Sequence, residues 1–507
     1  MNDLAAFLAK AAAKTGMDAL RNAASGNPYL YPASIQEHDG TVLFLAKTPS
    51  GKKLFAVGDG AAIYHALEGT VAQIAGTPYK ECGLTVENSR AIRGSLPYTA
   101  PIPLTRYDAT IGLGDRLGLA SPGHVRLIKG MEVKPVLAQQ SIRELNLTGR
   151  DYGQVLADAT WAVFQEGYRG GYGADGDHLK TYDEIRMALA QGFTMITLDC
   201  SEYIRRLAAD DRGAIGNAYA SLAAGERMRL EKEFVGQAFV LSSGLQLRFS
   251  ADDLKLNAAV YQEAVNFAIA VYRDLIQPVA DRVDFEVSID ETATPTQPLA
   301  HFYVAKQLLD ADVRVNSMAP RFCGEFQKGI DYIGDITQFE REYVDHQKIA
   351  EHFGYKLSIH SGSDKFSVFP IIGRISKGRI HVKTAGTNWL EAVKVIIHAD
   401  PGLYRELHAF ALEKLAEAKK YYHISAEPAR IPDLRTLSDR DLQGLMAQND
   451  ARQVIHITYG LILQARDDKG NFRFRDRIYR CLSQHEELFY EYLQAHIGKH
   501  LSLLGLK

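Results

Sequence analysis

Four short segments concentrate the side chains that could bind a metal ion or move a proton. "GYGADGDHLK" (Gly171 to Lys180) sets Asp175, Asp177, His178 and Lys180 among three glycines. "SIDET" carries Asp290 and Glu291, "KLSIHSGSDK" carries His360, Ser361, Ser363 and Lys365, and "HVKTAGTN" carries Lys383 and Thr387. Two histidines with carboxylates from separate segments make a donor set for a divalent cation, with one position left open for substrate. On this reading His178 and His360 supply nitrogen, and Asp290 or Glu291 supplies oxygen. Strand alternation favours Asp290, whereas a twist at the strand end would bring Glu291 round instead. The ion expected is zinc, manganese, nickel or cobalt.

Such groups act together only if the fold brings them to one place. β-rich runs at 109–113, 134–139, 171–175, 194–199, 284–290, 313–317, 356–360 and 379–384 alternate with helical patterns such as "QFEREYVDHQKIAEHF". This repetition predicts an α/β fold, a (β/α)8 TIM-type barrel over residues 105–398. A small N-terminal α/β unit (1–104) is expected before it and a C-terminal helical domain (399–507) after it. Within the first unit, a hairpin turns at Pro-Ser-Gly (49–51) and a helix is predicted over 61–76. The long connection at 201–254 reads as a lid or an inserted pair of helices.

Alternate side chains of a barrel strand enter the interior, and catalytic groups collect where the strands end. The register turns Glu286, Ser288 and Asp290 inward, with Thr197, Asp199, Arg314, Asn316, Ser358, His360, His381 and Lys383; Asp175 ends its own strand. One strand-end aspartate is commonly a helix cap, but a whole ring of desolvated charge without chemistry would be costly. His381, deeper in its strand, is expected to be a hydrogen-bonded core histidine. The loops after the last two strands offer Ser361, Ser363, Lys365 and Thr387 where backbone N–H groups could cradle an anion or carboxylate.

"GLGDRLG" (112–118) lacks GxGxxG spacing, and "LASPGHVRL" after it does not read as a helix, so no dinucleotide site is assigned. Asp115 and Arg116 are placed instead on the rim of the first strand, with Arg116 as a clamp for a carboxylate. "HITYG" (456–460) falls in the helical domain and could reach over the barrel mouth, although a helix end is the expected meaning. Composition is that of a soluble globular protein, with 46% hydrophobic and 23% charged residues and a net charge of -3. A basic excess for nucleic acid is missing, and no apolar run approaches the ~18 residues of a membrane span. Four scattered cysteines fit a reducing cytoplasm. A small-molecule partner is expected, and self-association into a homo-oligomer is left open.

Taken together, "TIGLGDRLGLASPGH", "GYGADGDHLK", "SIDETATPTQPLAHF", "KLSIHSGSDKFS", "HVKTAGTNWLEA" and "HITYG" resemble the tagaturonate epimerases over Asp108 to Gly460. The resemblance implies a metal-dependent barrel epimerase that interconverts D-tagaturonate and D-fructuronate in hexuronate catabolism. The carbon inverted between these sugars lies β to the ketone, so its hydrogen is not acidified, and retro-aldol cleavage with re-addition is the expected route. Asp177 is the first candidate for the base and Asp199 the second. Lys383 or Arg116 would hold the substrate carboxylate, Lys180 is a further candidate, and Asp115, Asp175 and Asn316 complete the expected substrate contacts. A Schiff base on Lys383 is the main mechanistic rival. Other readings are an aldolase or ketose isomerase, and a sugar-acid-binding barrel without catalysis. A glycosidase built on Asp177 and Asp290 would leave the histidines without a role.

Overall fold

A computed structural model gives the fold and describes residues 2–13, 15–292, 294–384 and 386–506. Eight parallel strands close into a barrel: β1 (Ala109–Gly112), β2 (Lys134–Ser141), β3 (Gly173–Leu179), β4 (Met195–Asp199), β5 (Asp284–Ile289), β6 (Ser317–Pro320), β7 (Lys356–Ile359) and β8 (Ile380–Lys383). β8 pairs with β1, with Lys383 beside Gly112, so the sheet has no free edge. Alternation in β5 shows why this sequence closes. Phe285, Val287 and Ile289 are buried in the apolar layer around the barrel, while Glu286 is bonded inside it by Thr197 and Ser317 of neighbouring strands.

Two barrel strands differ from the expected ones. β3 runs on to Leu179 instead of stopping at Asp175, and its pairing with β4 slips between Gly176 and Leu179. His178 sits in that slip at φ 53°, a left-handed conformation that breaks strict alternation and lets Asp177 and His178, neighbours in sequence, both line the barrel mouth. β6 begins at Ser317, where the alternating "VRVNS" placed its end. Asp312 at φ 59° closes the preceding helix (Pro298–Asp310), and the chain takes several more residues to reach the sheet. Asn316 therefore lies at the start of β6, at the opposite end from the mouth, where its side chain bonds Phe285 N and Thr105.

The N-terminal unit is a five-stranded antiparallel sheet. The hairpin Thr41–Thr48/Gly51–Val57 is present, but the helix expected over 61–76 covers only Ala62–Ala66. The remainder belongs to a second hairpin, Thr70–Ile74/Thr77–Cys82, turning at Ala75 (φ 48°) and Gly76 (φ 81°). Two successive positive φ values suit a two-residue hairpin turn, and pairing with the open sheet edge outweighs the helical pattern. "LASPGHVRL" also differs from expectation, because Ser121–Ile128 is helical. The 201–254 connection holds a helix pair (Arg212–Ala220 and Ala224–Phe234) and a short ribbon (Ala238–Val240 with Gln246–Arg248).

C-terminal helices pack along one side of the barrel, and the last of them (Glu486–Leu503) also meets the N-terminal sheet. Glu486 is the joint. It accepts from Tyr31 (2.8 Å) and Tyr490 (2.6 Å) and pairs with Lys47 (2.6 Å) and with Lys52. Burial pushes its carboxyl up, but Lys52 and these donors outweigh it and hold the group down at about 2. A depressed carboxylate stabilises the fold above its unfolded pKa and loses that contribution as pH falls toward the folded value. Glu486→Gln should therefore cost about 3 kcal/mol at pH 7. Thermal melts from pH 7 down to pH 3 should show the gap between variant and wild type narrowing; a gap independent of pH would refute the linkage. No helix among the described residues is long and apolar enough to cross a membrane.

Candidate active site

The strand ends surround one buried cation. Lys383 at the end of β8 places its Nζ 2.9 Å from Asp175, 2.8 Å from Asp177 and 2.8 Å from Glu286, and donates to Thr197 at 2.6 Å. Asp175 and Glu286 have no solvent exposure. Burial opposes a charged lysine, yet the three carboxylates hold its ammonium well above the ordinary range. Burial likewise raises Asp177, but Lys383, His178 and His360 reverse this and keep it ionised. Asp175 has the opposite fate, because burial, with Asp177 and Glu286 beside it, pushes it up against the pull of Lys383. His381 lies deeper, bonded to Thr110 at 2.9 Å and kept neutral by burial.

Above this layer the two imidazoles meet, their ring centroids 4.7 Å apart. His178, Asp290 and His360 each offer a ligand atom, all within 4.8 Å of one another. Each histidine has a carboxylate behind it, and the one behind His360 is hydrogen-bonded to it. Glu286 lies 2.7 Å from His360 Nε2, and Asp199 lies 3.5 Å from His178 Nδ1. Asp290 Oδ2 is 3.2 Å from His360 Nδ1, yet Nδ1 of both histidines is buried without a formed hydrogen bond. At His360 an orphaned Nδ1 beside Asp290, with Glu286 bonded to the other ring nitrogen, matches the donor chemistry of a divalent metal site. At His178, where Nδ1 faces Asp199, the nitrogen left for an ion is Nε2. Glu291 is exposed at the rim, outside this cluster.

An inner cavity of about 50 Å³ borders Asp177, His178, Asp290, His360, Ser361, Ser363 and Lys383. It shares Arg143, Asp290, Glu291, Lys328, His360 and Ser361 with an outer cleft of about 480 Å³. Tyr421, Tyr422 and His423, from the C-terminal region, line the outer cleft. Helix Asn449–Ile457 brings His456 against the loop after β8, where a Cβ on Gly386 would stand 2.7 Å from its ring. The helix does end inside "HITYG", at Ile457, and the same segment packs against the loop that follows the last barrel strand.

Several expected substrate contacts are used by the fold itself. Asp115 spends both oxygens on the backbone N–H groups of Leu117, Gly118, Ala120 and Ser121, which ties off the first loop. Lys365, fully buried, donates to the carbonyls of Gln327, Ile330 and Ser363. Arg116 lines the inner cavity but is engaged by Glu144 (2.7 and 3.0 Å) and stacks on Tyr459. Glu144 itself belongs to the capping box that starts helix Ile142–Thr148. Lys180 lies behind the site, 3.6 Å from Asp199 and 3.5 Å from Glu202, and neither Lys180 nor Asp199 lines the cavity. The side chain of Thr387 lies outside the described residues.

Sequence reasoning missed Lys328 and Arg143, which border both chambers. It also left Glu286 without a role, although alternation had turned it inward. Similar proteins share this whole arrangement of chain. A tagaturonate/fructuronate epimerase from Thermotoga maritima is 40% identical over 477 residues, 94% of this chain and 96% of that one. A glycerol-complexed crystal structure of a fructuronate-tagaturonate epimerase from Cohnella laeviribosi is 50% identical, covers 97% of this chain and 99% of its own, and superposes with a TM-score of 0.92. The native crystal structure of that epimerase superposes at 0.91. The match to the tagaturonate epimerase family runs over residues 31–504, beyond the quoted segments at both ends, and the chain belongs to that family of sugar isomerases.

Proposed function

We propose that this protein interconverts D-tagaturonate and D-fructuronate by retro-aldol cleavage and re-addition, with a divalent cation held by His178, Asp290 and His360. The convergence of their ligand atoms within 4.8 Å at the mouth of the barrel is the observation that carries the metal reading. When bound there, such an ion supplies Lewis acidity to the ketone and a neighbouring hydroxyl oxygen of the substrate. Glu286 sets the ring orientation of His360, as a carboxylate behind a metal-binding imidazole does, and Asp199 stands behind His178 at 3.5 Å.

Asp177 suits the proton transfer because it borders the cavity and is held as the anion by Lys383. In cleavage it accepts the proton of the C4 hydroxyl as the C3–C4 bond breaks, leaving a three-carbon enediolate and a three-carbon aldehyde acid. The aldehyde turns its other face, C3 adds to it, and Asp177 returns the proton to the new C4 oxygen. One carbon–carbon bond is broken and remade, and the hydrogen on C4 never leaves. Asp199 is a weaker candidate for this base because His178 stands between it and the cavity. A Schiff base on Lys383 is disfavoured by the three carboxylates that keep the amine protonated.

Two measurements test this reading. Treatment with EDTA should abolish epimerisation of D-tagaturonate, and zinc, manganese, nickel or cobalt should restore it; a rate indifferent to both would remove the metal from the mechanism. D-Fructuronate formed in D₂O should carry no deuterium at C4, since only the hydroxyl proton moves. Deuterium at that carbon would exclude recombination of fragments.

A further inference from the structure

A uronate differs from a neutral ketose by one carboxylate, and the cations first expected to hold it are already engaged. Lys383 is surrounded by three acids, and Arg116 is paired with Glu144. Two other cations border both chambers, and among the described residues neither forms an ion pair within 4 Å. Lys328 makes one side-chain hydrogen bond, to Ser361 Oγ at 2.9 Å. Arg143 lies over the ring of Tyr422, and its buried Nε has no hydrogen-bond partner.

The loop that presents Lys328 is pinned along its backbone. Lys365 holds the carbonyls of Gln327 and Ile330 (2.8 and 2.7 Å), Gln453 holds that of Lys328 (3.2 Å), and Arg452 holds that of Gly329 (2.8 Å). All four successive carbonyls are thus engaged, three different side chains fix the segment, and the ammonium hydrogen-bonds a hydroxyl with no carboxylate within 4 Å, although Glu144, committed to Arg116, lines the same cavity. Fixing a loop in this way lowers the ordering cost of binding whatever charge its lysine meets. Glu291 shares the cavity but is exposed at the rim, too far to neutralise either cation by direct contact.

We infer that Lys328, assisted by Arg143 and Ser361, holds the substrate carboxylate. The inference rests on the sugar-acid reading above and adds an orientation to it. The carboxylate end lies toward Lys328, Arg143 and Ser361, and the ketone end toward His178, Asp290 and His360. An ammonium and a guanidinium that lack acidic partners gain charge-assisted hydrogen bonds when a carboxylate enters. A neutral ketose would leave both without an anion.

The test is steady-state kinetics of the full-length, metal-loaded enzyme with D-tagaturonate. Wild-type turnover checks the functional reading by itself, and the variants check the clasp within it. Lys328→Met should raise KM about 10- to 100-fold, the loss expected for one hydrogen bond between charged groups, with kcat changed less than about fivefold. Lys328→Arg, which keeps the charge, should recover most of the loss, and Arg143→Met should raise KM by a smaller factor. Melting temperatures of all three variants should stay near that of wild type. A KM for Lys328→Met within about threefold of wild type, a defect confined to kcat, or Lys328→Arg as impaired as Lys328→Met would each overturn the assignment.

Discussion

His178→Ala is expected to lose at least about a thousandfold in kcat/KM and to purify without stoichiometric metal. A Lewis acid contributes several kcal/mol to such a reaction, and each 1.4 kcal/mol is tenfold in rate. Two other consequences must be separated from loss of the ligand. One is backbone strain, because His178 sits at φ 53° and a substitution there changes the cost of the left-handed conformation. His178→Asn controls for it, since asparagine tolerates that region better than alanine and yet offers no imidazole. Both variants should be equally inactive and equally metal-poor, with asparagine the more stable fold. The other is release of Asp199, which faces His178 at 3.5 Å and would be left buried with only Lys180, 3.6 Å away, as a cationic neighbour. Metal analysis distinguishes them: a variant that keeps its ion but loses activity would make His178 a proton carrier, and full turnover by the alanine variant would end the metal-site reading.

What could be read from the sequence follows from which physical signals are local. Strand alternation is local, so Glu286, Thr197 and Lys383 could be placed inside the barrel before any coordinates. The slip in β3 is not, because the two consecutive inward residues depend here on a left-handed conformation at His178 that no sequence pattern announces. β6 was misplaced because "VRVNS" alternates as a strand does, although the chain there is still travelling from a helix end to the sheet. Asp115 and Lys365 show a different limit. A carboxylate that ties off a loop and one that meets a substrate are the same residue at the same rim, and only the hydrogen-bond partners tell them apart. Lys328 and Arg143 gave no signal, since one lies in an irregular loop and the other reads as the polar face of a short helix. Their meaning emerged only from the absence of an acidic partner within ion-pair distance among the described residues.

Lys383→Met should be the most destabilising single change in the barrel, and its pH dependence should identify the reason. The substitution roughly keeps the volume but leaves Asp175, Asp177 and Glu286 facing one another without their shared cation. Breaking a buried pair in this way costs about 3–5 kcal/mol. Without the ammonium, burial and mutual repulsion must raise the carboxyl pKa values in the folded state above those of the unfolded chain. The folded variant then binds protons that the unfolded chain does not, so its stability rises as pH falls from 8 toward 5. Denaturant titrations across that range should show the deficit against wild type shrinking at the acidic end. Asp175→Asn in the same background removes one of the three negative charges and should return part of the loss. Turnover should fall steeply in Lys383→Met, because Asp177 loses the group that fixes its orientation and ionisation. The same residue decides between mechanisms: borohydride added to the wild-type enzyme during turnover should trap no adduct on Lys383. A trapped adduct would make that lysine the nucleophile, and the ring of carboxylates around it would then need another explanation.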